Sequence, residues 1–575
     1  MSSTYSAVFV ALVLVAAVLI GGYGLRISRT TSDFYVASRS VSPWWNASAI
    51  GGEYLSAASF LGVAGLIFAY GPDMLWYPIG YTVGYLVLLA LVAAPLRRSG
   101  AYTVPDFAEA RLESRRVRRM ASVLSVGIGW LYLVPQLQGA GLTLTTVTGA
   151  PSWLGGLLVA VVVAVNVMAG GMRSITFVQA VQYWLKLTAL AVPVIFLVLA
   201  WREAGAPSLD GSVPAVFPND TTVTVQTTVD VDVPSKVTVF VNGAVDGRQH
   251  AGSPVTLVPG QHRIDAGAVL DFPANSVVPQ VQGIPTDTNA VWAQPLGGEG
   301  HGNPFYVTYS LIIATFLGTM GLPHVVVRFY TNPNGRQARR TTVVVLALLG
   351  VFYLLPPAYA ALGRLYTPEL LLTGQTDAVV LVLPSRLVGG TLGELLGALV
   401  AGGAFAAFLS TSSGLTLSVA GVLSQDVLLL RGLRGFRVAA FFAAVVPFGV
   451  ALLATGMSLA DVVGLAFAVA ASSFCPLLLL GIWWRRLTPF GAIAGMIAGG
   501  GLALVAGLVT LLMPPGSGLV YDLLSRPAAW SVPLGFAVMI VGSLLTRRTV
   551  PASVNRTMVR LHAPEALGLA EEETP

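Results

Sequence analysis

Apolar runs long enough to cross a lipid bilayer recur along most of the chain, and they limit its possible folds more than any other feature. A hydrocarbon core of about 30 Å requires about 20 apolar residues per helix. By that measure the 575-residue sequence holds thirteen runs. Only 10% of its residues are charged, against about 25% in soluble domains. The chain is therefore predicted to be an all-α polytopic membrane protein.

The thirteen predicted spans share an apolar composition interrupted by few charges. They cover residues 5–25, 43–70, 74–95, 120–149, 152–171, 174–201, 304–327, 340–363, 388–424, 437–456, 459–484, 488–513 and 529–546. The first run lacks a basic segment before it and has Arg26 and Arg29 directly after it. It is therefore expected to be an uncleaved helix and not a signal peptide.

The distribution of basic residues predicts the orientation in the membrane. With the N-terminus outside and the C-terminus in the cytoplasm, the internal segments hold 24 of the 32 Lys and Arg residues and the external segments hold seven. Lys186 lies within a span. Because cytoplasmic loops carry the excess of Lys and Arg, we predict a multi-pass protein of the cell inner or plasma membrane with this orientation.

Composition also argues against several other classes of protein. The net charge of +6 comes from arginines placed beside apolar runs, which indicates topology and not a nucleic-acid partner. A single cysteine, Cys475, excludes a disulfide framework. We find no reactive constellation of a membrane enzyme within the spans, and the tail of residues 549–575 is too short for a sensor's signalling domain.

Residues 202–303 differ from the rest of the chain. β-branched residues alternate with period two at 222–225 and 237–240, which predicts strands. Asn242-Gly243 predicts a hairpin turn, and Pro259-Gly260 a second turn. We expect a small extracellular β-rich insertion of sandwich type without a part in the chemistry; a ligand-capturing or wall-binding role is the alternative.

The second span is the richest in polar residues. Gly51-Gly52-Glu53 is followed by Ser56 and Ser59, a poor composition for a continuous membrane helix. A deliberate break would free the carbonyls of Gly52 and Leu55 to hold a cation, and the following half-helix would present its positive end to an anion. Close helix packing would explain the small residues but not Glu53.

The ninth span offers a complementary group of oxygens. The carbonyl of Ala407 points along the helix toward Ser410 and Thr411. A hard cation prefers oxygen ligands, and an uncharged set favours a monovalent ion. The alternative is that these hydroxyls simply bond back to their own helix.

Several ordered motifs resemble the sodium/solute symporter family, and within it the acetate permease branch of cation/acetate and monocarboxylate symporters. The resemblance runs from about residue 30 to about residue 500, with the insertion excluded. The motifs are Gly-Glu-Tyr-Leu-Ser-Ala-Ala-Ser-Phe-Leu-Gly at 52–62, Pro-Leu-Arg-Arg-Ser-Gly-Ala-Tyr-Thr-Val-Pro-Asp-Phe at 95–107, Gln136 with Gly139 and Gly141, Gly-Gly-Met at 170–172, Gly-Thr-Met-Gly-Leu-Pro-His at 318–324 with Arg328-Phe329, and Leu-Ser-Thr-Ser at 409–412 with Asp426.

The resemblance implies a LeuT-like core of two inverted five-helix repeats. The implied division is an extra helix at 1–25, a first repeat at 26–201, the external insertion at 202–303, a second repeat at 304–486, two further spans at 487–548 and a cytoplasmic tail at 549–575.

It also implies the site residues. The implied sodium ligands are the carbonyls of Gly52, Leu55 and Ala407 with the hydroxyls of Ser410 and Thr411. The implied substrate pocket uses Ser56, Ser59, Gln136, Thr315, Thr319 and Pro323. Glu53 and Lys186 are candidates for a proton or coupling role, Lys186 because this chain has Gln182 where the branch often has a lysine. His324 is expected to be a structural hydrogen-bonding residue.

The predicted function is secondary-active import of a small monocarboxylate such as acetate, coupled to sodium, by alternating access. The alternatives are symport of another small solute, such as an amino acid or urea, and proton coupling. The expected partners are the small anion, Na+ and membrane lipid; we predict no cofactor, no nucleic-acid partner and no enzymatic activity, and the oligomeric state stays open.

Overall fold

The computed structural model describes residues 4–27, 41–209, 215–225, 228–281, 288–296, 303–430, 432–453, 459–513 and 518–563. The predicted loop after the first span and the end of the predicted cytoplasmic tail lie outside these ranges. Helices dominate the described residues, and strands are confined to the segment between residues 221 and 281.

The helices of the first half precede the strands. They are α1 Thr4–Ile27, α2 Pro43–Tyr54, α3 Val63–Tyr70, α4 Trp76–Val87, α5 Ala93–Arg98, α6 Val104–Leu112, α7 Arg115–Thr148 and α8 Ser152–Glu203. One wide π-type turn, Ala58–Gly62, leads into α3, and another, Leu88–Val92, joins α4 to α5.

The remaining helices begin with α9 near the end of the insertion, and short helices lie between the long ones. They are α9 Asn289–Trp292, α10 Pro304–Gly321, α11 Pro323–Val327, α12 Gly335–Tyr353, α13 Pro356–Tyr366, α14 Glu369–Thr373, α15 Val379–Leu387, α16 Gly390–Val422, α17 Gly432–Leu453, α18 Leu459–Trp483, α19 Pro489–Met496, α20 Leu502–Leu512, α21 Leu519–Ser525, α22 Ala528–Leu545 and α23 Val554–His562.

The described residues contain eleven helical segments long and apolar enough to cross a membrane, and one bent pair that makes a twelfth span. The 52-residue α8 is broken at Gly171, whose φ of 56° and ψ of −158° are not helical. Glycine adopts such a positive φ without the steric cost that a Cβ imposes. The sequence predicts two spans on either side of this residue, and the total of thirteen stays a prediction that depends on counting them separately.

The predicted break in the second span is confirmed. α2 ends at Tyr54, and the helix that resumes at Ala58 is bent from it by 72°. Leu55, with φ −73° and ψ 81°, leaves the helical conformation. The break lies against the middle of α8 and α16, so it is enclosed by protein, where unpaired backbone groups are tolerated at membrane depth.

Seven strands form an antiparallel sheet in the insertion. They are β1 Thr221–Thr224, β2 Val229–Val233, β3 Val237–Val245, β4 Arg248–Leu257, β5 Gly260–Ile264, β6 Val269–Phe272 and β7 Gln280–Val281. The pairing order is β1-β6-β3-β5-β2-β7, with β4 on β3. Alternate residues of β1 and β3 are buried in a separate apolar core, as their period-two pattern predicts.

The predicted hairpin turn at Asn242-Gly243 is wrong. Both residues lie inside β3, directly after an irregularity in its pairing with β4. The chain reverses instead at Asp246-Gly247, which have φ values of 52° and 72°. Asp-Gly suits such a turn as well as Asn-Gly does, so the local signal alone could not choose between the two. At the predicted turn Pro259-Gly260, Pro259 lies between β4 and β5, and Gly260 is the first residue of β5.

The end of the insertion packs into the membrane-embedded part. Trp292 in α9 is 6% exposed, and its indole N–H donates to the carbonyl of Ile67 at 2.8 Å. The guanidinium of Arg364 lies 5.6 Å from the centre of the Trp292 ring. The segment 288–296 is thus attached to the predicted external ends of the spans, unlike a freely appended domain.

We therefore expect two deletions to differ. Replacing residues 215–281 with a short Gly/Ser linker should leave uptake largely intact, whereas replacing 206–300 should lower thermal stability. Trp292→Ala should reproduce most of that loss of stability, because truncating a buried tryptophan lowers the free energy of unfolding by about 3–5 kcal/mol. Thermal unfolding of the purified variants and uptake normalised to surface expression would measure this. Equal stability of all three variants would contradict an anchoring role for α9.

Candidate transport site at the broken second span

Close packing explains why a glycine stands at position 52, beside the break. A Cβ on Gly52 would lie 2.1 Å from the backbone carbonyl oxygen of Gln179 in α8. Non-bonded contacts of a Cβ atom are essentially never that short, and a backbone oxygen cannot move aside as the end of a flexible side chain can. Glycine at position 52 therefore lets α2 approach α8 closely enough for their polar groups to meet.

The structure brings together the five residues predicted to bind a cation. The Ser410 hydroxyl has one hydrogen to donate, and its oxygen lies 2.7 Å from the carbonyl oxygen of Gly52 and 3.0 Å from that of Ala407. The Thr411 hydroxyl donates to the carbonyl of Glu53 at 2.6 Å. Since Ser410 and Thr411 are on α16, this helix is tied to the end of α2 by both side chains.

Lys186, in the part of α8 that follows Gly171, contacts the same oxygens. Its side chain is completely buried. The amine donates to the carbonyls of Gly52 and Leu55, the latter at 2.7 Å, and to the Ser410 hydroxyl at 2.5 Å. The structure thus places a nitrogen among the atoms that the sequence assigns to sodium.

Glu53 forms a buried ion pair that sequence reasoning did not identify. Its carboxylate accepts a hydrogen bond from the Nε of Arg328 at 2.5 Å, and both side chains are 1–2% exposed. The same guanidinium donates to Thr176 at 2.9 Å and to the side-chain oxygen of Gln179. Gln179 in turn donates to the backbone carbonyl of Ser410 at 2.6 Å. This network holds the break, α8 and α16 in one arrangement.

The predicted substrate residues of the first half surround the other side of the break. The Gln136 side-chain oxygen accepts from the backbone N–H of Ala57 at 2.8 Å, which satisfies an amide freed by the break. Ser59 is hydrogen-bonded to Tyr353 at 2.8 Å, and Ser56 accepts from Tyr132 at 3.2 Å. All these side chains are buried, so the region is closed to solvent.

The predicted substrate residues on α10 and α11 lie at a second helix break. Thr315 donates to the carbonyl of Leu311 on its own helix at 2.8 Å, while Thr319 is 2.8 Å from the Tyr54 hydroxyl. Pro323 begins α11 after Leu322, which is extended. Thr319 is therefore joined to the first break through Tyr54, and Thr315 makes only local hydrogen bonds.

An aromatic shell around the break escaped sequence reasoning. Tyr54 meets Tyr81 and Tyr85 edge-on, with ring centres 5.9 and 5.0 Å apart. The ring of Phe467, from α18, packs at a tilt against that of Tyr81, with centres 4.8 Å apart. The hydroxyl of Tyr85 is buried and has no hydrogen-bond partner. Aromatic residues at helical spacing are typical of any apolar core, so no local signal separates these from packing residues.

His324 does not have the structural hydrogen bonds expected of it. Both ring nitrogens are buried without a partner, and the ring stacks on Tyr132 with centres 5.2 Å apart. A buried polar group without a partner costs free energy, which a ligand could recover. The position of His324 beside Tyr132, whose hydroxyl donates to Ser56, makes it a candidate ligand-binding residue.

Ion pairs lie on both sides of this centre. On the predicted cytoplasmic side, Arg118 contacts Asp106, Glu109 and Asp426 at 2.6–2.8 Å. On the predicted external side, Arg526 contacts Asp461 at 2.8 Å.

Within the described ranges, no group of three or more His, Cys, Asp or Glu side chains could hold a metal ion.

Comparison with known proteins identifies relatives along most of the chain. The family model of the sodium:solute symporter family matches residues 34–258 and 274–499. A monocarboxylic acid transporter of Corynebacterium glutamicum is 29% identical, covering 94% of this chain and 90% of its own length. An uncharacterised symporter of Bacillus subtilis is 28% identical, with 91% of both chains covered.

Solved structures show the same fold at low sequence identity. A sodium-coupled sialic acid symporter in a substrate-bound outward-open state matches with a TM-score of 0.59 and 13% identity, over 94% of this chain and 98% of the other. A nucleobase-cation-symport-1 family transporter in a closed conformation matches with a TM-score of 0.51 and 14% identity, over 92% and 99%. With the family model spanning most of its length, this chain belongs to the sodium:solute symporter family.

Proposed function

We propose that this symporter imports a small monocarboxylate, with acetate as the first candidate, by alternating access. The observation that carries the proposal is the charge balance at the break. Among the described residues, the charged side chains that hydrogen-bond within this network are Glu53, Arg328 and Lys186. With Lys186 as an ammonium ion, one positive charge is left over. A single bound carboxylate would neutralise it.

The neighbouring groups support a small anion of this kind. The hydroxyls of Ser56 and Ser59 and the ring of His324 can donate hydrogen bonds, and hydrogen bonds to a charged partner are the stronger ones. The Corynebacterium glutamicum relative, named as a monocarboxylic acid transporter, agrees with this substrate class.

The coupled cation is a separate question. The sequence predicts sodium, with a proton as the alternative, but the amine of Lys186 lies where the sequence places the sodium ion. The ion pairs on either side of the centre fit alternating access, because each can close one entrance while the other opens.

Uptake into proteoliposomes tests the substrate. We expect labelled acetate to be accumulated, and unlabelled propionate or pyruvate to compete better than proline or urea at equal concentration. Control vesicles without protein should give the background. Competition by proline or urea stronger than by any monocarboxylate would overturn the proposal.

His324→Phe tests the binding centre. Phenylalanine keeps the stacking on Tyr132 but removes both nitrogens. A hydrogen bond to a charged ligand contributes about 1.5–3 kcal/mol, so its loss should weaken acetate binding roughly 10- to 150-fold. His250→Phe in β4 is the matched control and should have no effect. The half-saturating acetate concentration measures the change; an unaltered value in His324→Phe would place the substrate elsewhere.

A further inference from the structure

Lys186 completes the oxygen cluster at the broken second span. An ammonium group has three N–H donors and no acceptor. It has three acceptors here: the carbonyls of Gly52 and Leu55 and the hydroxyl oxygen of Ser410. Donors and acceptors are therefore matched one to one, and the helix break leaves these carbonyls without amides of their own helix to serve.

The same three oxygens belong to the set predicted to bind sodium. Their contacts therefore show whether a sodium ion would fit among them. A hard cation binds by direct contact with its oxygens. The Lys186 nitrogen already makes direct contact with them, at 2.7 Å from the Leu55 carbonyl and 2.5 Å from Ser410. The fourth and fifth members also have partners: the Ala407 carbonyl oxygen lies 3.0 Å from the Ser410 hydroxyl, and the Thr411 hydroxyl donates to the backbone carbonyl of Glu53. A sodium ion and the Lys186 amine would occupy the same volume, so sodium does not fit this arrangement.

We propose that Lys186 is a built-in cation that replaces sodium between α2 and α16. The inference builds on the proposed function, because it concerns the coupling site of that symporter. The amine is attached to α8, so its effective concentration at the oxygens is high and does not depend on the salt outside. The break is then held in its bound arrangement without an ion from solution.

This assignment has a consequence for substrate binding. In a symporter with an exchangeable ion at this position, ion and substrate raise each other's affinity by the same factor, typically about 5- to 150-fold. If a residue of the chain supplies the charge, sodium should leave substrate affinity at this site unchanged. Removal of the side chain should create a vacancy lined by the same oxygens and restore the dependence.

The test measures binding of radioactive sodium to the purified full-length protein without substrate. Wild type should show no saturable binding that depends on Ser410. Lys186→Ala should gain saturable binding, and adding Ser410→Ala should remove it. Lys186→Met, which fills the space with an apolar chain of similar length, should gain none. In Lys186→Ala, saturating sodium should also raise acetate affinity about 5- to 150-fold.

Two results would overturn the proposal. One is saturable sodium binding in the wild type that Ser410→Ala abolishes; this arm needs no lysine variant and decides the matter if Lys186→Ala does not fold. The other is a folded Lys186→Ala protein that binds no sodium. Sodium binding in the wild type that Ser410→Ala leaves unchanged would place the ion elsewhere and support the assignment. Because the sodium-binding measurements contain no substrate, failure of acetate uptake would count against the proposed function and not against this inference.

Discussion

Arg328→Met is expected to abolish uptake and to lower the free energy of unfolding by about 3–5 kcal/mol, the cost of leaving one member of a buried ion pair without its partner. The carboxylate of Glu53 would keep its buried position but lose the guanidinium 2.5 Å away. Gln179 and Thr176 would lose their donors as well. Arg340→Met, at an exposed arginine of α12, is the matched control.

A double substitution separates charge from contact. Glu53→Gln combined with Arg328→Met removes both charges, so the double variant should be more stable than Arg328→Met alone. Thermal unfolding of the four proteins in detergent forms a double-mutant cycle, and uptake is measured in parallel. Additive losses would show that the two side chains do not depend on each other. Full stability in Arg328→Met would contradict the ion pair itself.

Gly52→Ala is expected to abolish uptake for a steric reason. The added Cβ would overlap the backbone carbonyl of Gln179, 2.1 Å away, and α2 would be forced from α8. Overpacking of this kind costs about 1–3 kcal/mol and occasionally more. The oxygens of the break would no longer meet Lys186 and Ser410.

Gly449→Ala is the matched control for that change. Gly449 is also helical, but nothing lies within 4 Å of where its Cβ would stand. Since alanine is the better helix former by up to about 1 kcal/mol, this variant should be as stable as the wild type or slightly more so. Uptake and thermal unfolding are compared at equal expression. Normal uptake by Gly52→Ala would mean that the close contact of α2 and α8 is not required.

The break in the second span could be predicted because its signal is local. Two glycines, an acidic residue and serines within ten positions are unfavourable for a membrane helix, whatever surrounds them. The hydroxyls of Ser410 and Thr411 lie one turn from the carbonyl of Ala407, and helix geometry alone groups them. Both features depend on residues that are neighbours in sequence.

The partners of these groups could not be predicted from composition or spacing. Arg328 is 275 residues from Glu53, and Lys186 is 134 residues from Gly52. Several arginines were available for Glu53, and a lysine within a span has a long side chain that can reach many positions. The tyrosines around the break likewise resemble core residues until the fold brings their rings together. Local turn chemistry failed at Asn242-Gly243 because the strand pairing continues through it.

Because α8 is interrupted at Gly171, a small rotation there would displace residues far along the part of the helix that follows it. Lys186 lies fifteen residues beyond Gly171, about 22 Å along a helix axis at 1.5 Å per residue. A tilt of about 5° around that glycine would move the lysine backbone by about 2 Å, enough to break hydrogen bonds that need about 3 Å between donor and acceptor. A small rotation at Gly171 would therefore withdraw the amine from the oxygens of α2 and α16 together, without any helix unwinding.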